Sequence, residues 1–252
     1  MKTKGRVAVS CRPMAELRPR VEDFPSTKSS EDRFAADLRG FGPVGLIALI
    51  AITFTGNISL GNLVAFPLGA VLVLIWVRLS HTSWREIGYL APRNWMLTLV
   101  AGAALGIALK LLMKAVVMPV LGAHPVNPAY HFLAHNRGLL PRAIWAMLIA
   151  GFAEETVFRG YLFERFGKLL GSSRVAKAST VVITSAWFGL AHVADQGITG
   201  AQQALITGLV FGTIFACTRS IFLLMIAHAA FDLTALTLIY RNLESEVAHW
   251  VF

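Results

Sequence analysis

The sequence has few charged residues and only two cysteines. Charged residues make up 15% of the 252 residues, whereas hydrophobic residues make up 56%. With a mean hydropathy of +0.62, the chain is too apolar for an ordinary soluble domain. Cys11 lies in a polar stretch and Cys217 in an apolar one, so neither a disulfide framework nor a thiolate metal site follows from them.

Acidic residues are also scarce, and the net charge is +9. Nine of the 23 lysines and arginines lie in the first 40 residues, and most of the others lie in short stretches between apolar runs. This distribution is typical of the loops that a membrane protein keeps on its cytoplasmic side. We therefore expect a lipid bilayer around the chain and no nucleic acid as a partner.

Long apolar runs predict an all-α polytopic bundle of about seven transmembrane spans, within a range of six to eight. The predicted spans are 42–59, 62–80, 95–119, 139–163, 175–194, 201–218 and 220–240. Residues 1–41 are polar and predict a disordered cytoplasmic tail, and 42–252 form the transmembrane domain. With the N-terminus inside, the inner segments hold 17 lysines and arginines against three outside, as expected for a protein of the cell (inner) membrane.

Two lysines lie inside the third predicted span. Lys110 and Lys114 are four residues apart in an otherwise apolar run. Either the helix ends early, or both side chains snorkel to the interface, or they line a polar cavity. Snorkelling is the simplest interpretation.

The fourth span contains three charged side chains within six residues. Each would cost roughly 2.5–3.5 kcal/mol at the centre of a membrane helix. Glu155 and Arg159 are four residues apart in the favourable order for an ion pair on one helix face. Glu154 points about 100° away from Glu155, so it needs a partner on another helix.

Further ionisable residues lie in the fifth and seventh spans. His192 follows an apolar run, and His228 and Asp232 are four residues apart on one helix face. Intramembrane groups of this kind face one another rather than lipid, which predicts a shared polar pocket with Glu154. A carboxylate and a histidine there could activate water, and a second histidine could stabilise an oxyanion.

Three motifs carry a resemblance to a known family. Glu154–Arg159 matches EExxxR, Phe188–His192 matches FxxxH, and His228–Asp232 matches HxxxN/D. In this order on successive helices, they resemble the CPBP family of intramembrane glutamic endopeptidases, which includes type II CAAX prenyl proteases and bacteriocin-processing or immunity proteins of the Abi type. The resemblance covers about 139–240.

The resemblance implies a role for each matched residue. Glu154 with His192 would activate the hydrolytic water, while His228 and Asp232 would stabilise the oxyanion. The site-supporting residues would be Glu155, Arg159 and Phe188, the first two holding the helix geometry and the third packing beside the site.

The sequence departs from the family pattern at one position. CAAX proteases have Asn where this chain has Asp232, and an ionised aspartate cannot donate a hydrogen bond. Asp232 is either protonated or orients His228 through a hydrogen bond. We favour the orienting role, because an imidazolium beside a carboxylate needs no unusual proton.

The predicted depths of two site residues conflict. On the spans drawn above, Glu154 lies about 22 Å from the outer start of its helix, whereas His192 lies near the outer end of its own. The two could not meet. Either the fifth helix starts deeper, or it tilts, or the segment 164–174 shifts the register.

The resemblance implies an intramembrane endopeptidase, a hydrolase that cleaves a membrane-associated substrate, such as a prenylated protein or a leader peptide, without a cofactor. A metal-dependent site stays open, since two carboxylates and two histidines could bind zinc, although the HExxH spacing is absent. The alternative is a non-enzymatic membrane protein, either a proton-coupled transporter or an immunity protein, that uses the same buried Glu, His and Asp residues.

Overall fold

The computed structural model describes residues 30–55 and 62–251, and this part of the chain is helical and contains no strand. The α-helices are α1 (Ser30–Arg39), α2 (Pro43–Thr55), α3 (Asn62–Leu79), α4 (Trp95–Leu112), α5 (Met118–Val120), α6 (Leu140–Glu155), α7 (Phe163–Leu170), α8 (Arg174–Ala191), α9 (Val193–Thr218), α10 (Ile221–Tyr240) and α11 (Glu244–Ala248). Two π-helical segments, Met113–Val117 and Thr156–Leu162, join α4 to α5 and α6 to α7. The predicted all-α class is confirmed.

Among the described residues, three helical segments are long and apolar enough to cross a membrane. They are Trp95–Val120, Val193–Thr218 and Ile221–Tyr240, and α1 with α2, bent by 49°, forms a fourth candidate. The chain is therefore an integral membrane bundle, and the count of about seven spans stays a prediction. One boundary differs: α9 begins at Val193, before the predicted start of its span at 201, but Gly197, with a φ of +65°, breaks this helix near the predicted start.

The end of the predicted disordered tail is an ordered helix. Helix α1 is fixed by its last turn, where the Trp76 indole donates a hydrogen bond to the Leu38 carbonyl at 3.0 Å. The buried Arg165 guanidinium donates another to the Arg39 carbonyl at 2.7 Å. The remainder of that predicted tail, residues 1–29, lies outside the described residues.

The fourth predicted span continues beyond its expected end. Helices α6 and α7, with the π-helical segment between them, form one helical stretch from Leu140 to Leu170. The chain then reverses at Gly171, whose φ of +93° suits glycine, and α8 begins at Arg174. Counted from this turn, Glu154 and His192 lie roughly 24 and 27 Å along their helices, so they reach the same depth. The extension at the turn removes the conflict between the predicted depths.

Helix α10 packs closely against both α4 and α6. A Cβ atom at Gly106 of α4 would lie 2.0 Å from the Ala227 carbonyl oxygen, and one at Gly151 of α6 would lie 2.7 Å from the Ala229 nitrogen. Small residues allow membrane helices to approach in this way. The two contacts flank His228 and set its position relative to both neighbouring helices.

Candidate active site

The predicted ion pair of Glu155 and Arg159 is present and almost completely buried. Arg159 Nη1 donates to Glu155 Oε1 at 2.9 Å, and the two side chains are 2% and 0% exposed. Arg159 Nη2 also donates to the Gly208 carbonyl of α9 at 3.4 Å, and the guanidinium carbon lies 4.8 Å from the centre of the Phe188 ring in α8. Arg159 therefore connects its own helix to two others.

His228 on α10 is oriented by Glu155. Its Nδ1 atom lies 2.8 Å from Glu155 Oε1, and a carboxylate can only accept, so Nδ1 carries the proton. This contact turns Nε2 towards Glu154 and Asp232, with 3.7 Å to the nearest carboxylate oxygen of each. The expectation that Asp232 orients His228 by accepting its hydrogen bond is therefore wrong, because 3.7 Å is too long. Glu155 supplies the orienting bond instead.

His192 lies at the junction of α8 and α9. Its Nδ1 donates to the Phe188 carbonyl at 2.7 Å, which leaves Nε2 facing Glu154 Oε2 at 3.9 Å. The Phe188 ring packs edge-on against the imidazole, with 4.6 Å between centroids. The distance of 3.9 Å is too long for a direct hydrogen bond.

Glu154 lies between these two histidines. It is 4% exposed, and within the described ranges no hydrogen-bond donor reaches its Oε2 atom. The imidazole Nε2 atoms of His192 and His228 lie 3.9 and 3.7 Å from that oxygen. The two adjacent carboxylates thus have different environments, since Glu155 Oε1 accepts two hydrogen bonds whereas Glu154 faces a cavity.

That cavity has a volume of about 450 Å³, within the size range of small-ligand sites. Its polar wall includes Glu154, His192, His228 and Asp232. Much of the remaining wall is apolar and includes Leu133, Leu139, Met147, Phe231, Leu236 and Ile239. The structure therefore gathers all four predicted catalytic residues at one apolar-walled opening.

Besides Lys110, five further polar side chains line the cavity and were not predicted as site residues. They are Asn127, Tyr130, Arg142, Gln196 and Gln203. Burial, with the nearby charges of Asp232 and Glu154, raises the pKa of Tyr130 to about 12, so its phenol stays protonated at neutral pH. Gln203 could have been found from the sequence, because an amide inside a predicted apolar span needs a hydrogen-bond partner. Gln196 could not, because it falls in a loop between two predicted spans.

The two lysines of the third predicted span do not snorkel. Lys110 is buried and lines the cavity, where its Nζ atom donates to Gln203 Oε1 at 3.1 Å. Lys114, one turn further on, pairs with the buried Glu244 of α11 at 3.2 Å. The simplest interpretation was therefore wrong, because each ammonium finds a polar partner inside the bundle.

The described residues include no group of three or more His, Cys, Asp or Glu side chains arranged to hold a metal ion. One nitrogen and one oxygen of the cluster, His228 Nδ1 and Glu155 Oε1, are already bonded to each other. Independence from metal stays a prediction.

Residues 136–234 match the family described as type II CAAX prenyl endopeptidase Rce1-like. The matched stretch runs from just before α6 into α10 and contains all seven predicted site residues. No curated protein and no solved structure matches the chain. The family match confirms the resemblance carried by the three motifs and supports a membrane-embedded protease.

Proposed function

We propose that this chain, whose residues 136–234 belong to the Rce1-like family of type II CAAX prenyl endopeptidases, is an intramembrane glutamic endopeptidase. It hydrolyses a peptide bond in a membrane-associated substrate. The observation that carries the proposal is the buried Glu154 carboxylate, which faces the cavity between two imidazole Nε2 atoms at 3.9 and 3.7 Å.

In the proposed reaction, a water molecule binds between Glu154 Oε2 and His192 Nε2. Glu154 accepts a proton from this water, and the water oxygen forms a bond to the carbonyl carbon of the substrate. When the tetrahedral intermediate collapses, the carbon–nitrogen bond breaks and Glu154 returns the proton to the leaving amine. The products are a carboxylic acid and an amine, and no other reactant is consumed.

His228 is the proposed oxyanion donor. Its Nδ1–H is held by Glu155, and its Nε2 faces the cavity 3.7 Å from the carboxylates of Glu154 and Asp232. Negative charges on both sides favour the imidazolium form, whose Nε2–H can donate to a developing oxyanion. This assigns Asp232 an electrostatic role that does not require it to donate a hydrogen bond.

The proposed substrate is anchored in the bilayer close to the bond that is cleaved. The apolar wall of the cavity suits aliphatic side chains, and the family description points to a prenylated C-terminal segment. We place the N-terminus on the cytoplasmic side of the inner membrane, because this orientation puts the excess of basic residues on that side.

The test is cleavage of membrane-anchored and prenylated peptides by purified protein in detergent, with and without a chelator. Glu154→Gln is compared with Glu246→Gln, which changes an exposed carboxylate. His192→Ala is compared with His249→Ala, because the exposed His249 also bonds the carbonyl four residues before it, at 2.6 Å. We expect cleavage in chelator, and losses of about 10²–10⁴-fold only in the two cavity variants.

Undiminished cleavage by folded Glu154→Gln protein would overturn the assignment of the base. Cleavage that is lost in chelator would instead indicate a metal site. If no peptide is cleaved but the protein takes up protons, and Glu154→Gln abolishes this uptake, the cluster is a proton relay and the chain is a transporter.

A further inference from the structure

Lys110 is a buried cation on the wall of the proposed active site and belongs to none of the three motifs. It lies outside the family match, on α4, and is 7% exposed. Its Nζ atom lies 3.1 Å from Gln203 Oε1 and 4.8 Å from the centre of the Phe231 ring. Phe231 immediately precedes Asp232, so Lys110 borders the catalytic cluster.

The ammonium of Lys110 has no direct counter-ion in the described part of the chain. No carboxylate oxygen of those residues lies within 4.0 Å of it, whereas Lys114, in the π-helical segment that follows α4, pairs with Glu244 at 3.2 Å. A buried charge is costly unless it is paired, and an ammonium has three protons to donate. Gln203 accepts one of them.

We propose that Lys110, held by Gln203, binds the free C-terminal carboxylate of the peptide substrate. This inference rests on the proposed function and extends it to the end of the substrate. A carboxylate would supply the missing counter-ion through charge-assisted hydrogen bonds. The amide oxygen of Gln203 accepts the hydrogen bond from Lys110. The amide nitrogen of Gln203 is therefore a second donor beside the Lys110 ammonium.

The size of the cavity limits how many residues can separate this carboxylate from the cleaved bond. An extended peptide advances about 3.3–3.6 Å per residue, and Lys110 shares one cavity of about 450 Å³ with Glu154. The bound carboxylate therefore belongs to a chain that ends only a few residues beyond the cleaved bond. Lys110 thereby selects for cleavage close to a free C-terminus and against cleavage within a long loop.

A purely internal role for Lys110 predicts different behaviour. Asp232 lines the same cavity, so Lys110 could serve only to balance the charge of that carboxylate. Loss of a charge-balancing lysine would change turnover equally for every peptide. Loss of a carboxylate-binding lysine would weaken the binding only of peptides that carry the C-terminal carboxylate.

The experiment uses one prenylated peptide made in two forms, with a C-terminal carboxylate or a carboxamide. Values of kcat and KM are measured for both forms with the wild type, Lys110→Gln and Lys110→Arg, and with Lys114→Gln as the matched control. Binding of both forms is also measured with Glu154→Gln, which does not consume them.

We expect the wild type to prefer the carboxylate form by at least about tenfold in KM, as for a buried charged hydrogen bond. Lys110→Gln should abolish this preference by raising KM for the carboxylate form alone. Lys110→Arg should keep part of it, and Lys114→Gln should keep all of it, because Lys114 is outside the cavity lining.

Equal KM values for both forms with the wild type, or an unchanged preference in folded Lys110→Gln, would overturn the proposed carboxylate-binding subsite at Lys110. Either result would leave the protease assignment intact. Binding that prefers the carboxylate without any cleavage by the wild type would support the subsite and overturn the proposed protease. An equal fall in kcat for both forms in Lys110→Gln would show the charge-balancing role instead.

Discussion

The Nδ1 atom of His228 lies 2.8 Å from Glu155 Oε1, the same oxygen that accepts the 2.9 Å hydrogen bond from Arg159. One carboxylate oxygen thus joins an imidazole of α10 to a guanidinium of its own helical stretch. The neighbouring Glu154 makes no such bond through Oε2 and faces the cavity. Two adjacent glutamates are therefore expected to differ in what they contribute to stability and to chemistry.

Thermal unfolding should separate the two glutamates. Glu155→Gln leaves the buried Arg159 without its counter-ion, and breaking a buried pair in this way costs about 3–5 kcal/mol of unfolding free energy. Glu154→Gln removes a buried carboxylate that has no direct ion-pair partner of fixed charge, so Tm should be unchanged or higher. Tm is measured in detergent for both variants. Equal losses in the two would contradict the distinction drawn from their contacts.

Asp232→Asn should retain cleavage within about tenfold of the wild type, because the amide keeps the shape of the side chain and can donate to an oxyanion directly. Asp232→Leu removes both the charge and the polar atoms beside His228. It should lose about 10²–10³-fold in kcat, comparable to the loss of one oxyanion donor. Single-turnover cleavage measures both variants. A fall in the Asn variant as large as that in the Leu variant would show that the negative charge itself is required.

Gly151→Ala should lower both stability and activity. The added methyl group would lie 2.7 Å from the Ala229 nitrogen and would push α10, with His228, away from Glu154. Gly167→Ala is the matched control, because no atom outside its own helical turn lies within 4 Å of the added carbon. It should stabilise α7 by up to about 1 kcal/mol without affecting cleavage. Similar behaviour of the two variants in unfolding and cleavage would contradict the role of close helix contact.

Arg165→Met should detach α1 from the bundle. The guanidinium donates to the Arg39 and Gly40 carbonyls and lies over the Phe41 ring at 4.4 Å. Its loss removes these contacts between the bundle and the turn that follows α1. Limited proteolysis should cut residues 30–41 faster than in the wild type. Arg174→Met, which changes an exposed arginine at the start of α8, should leave the cutting rate unchanged. Faster cutting in both variants would indicate a general loss of stability rather than release of α1.

Spacing within single helices could be read directly from the sequence. The pairing of Glu155 with Arg159 was predicted correctly, because residues four apart on a helix are neighbours wherever that helix lies. The all-α membrane fold was also predicted from long apolar runs, since an unbonded backbone is too costly in lipid. The three motifs also identified the four predicted catalytic residues, which the structure gathers around one cavity.

Contacts between helices depended on relative height and rotation, which only the tertiary structure decided. Glu154 and His192 meet because the helical stretch from α6 continues to Leu170 before the chain reverses. His228 takes Glu155 rather than Asp232 as its hydrogen-bond partner, because close packing at Gly106 and Gly151 fixes α10 against both neighbours. Lys110 faces the cavity for the same reason. A sequence determines which side chains share a helix face, whereas the packing of the faces determines which of them touch.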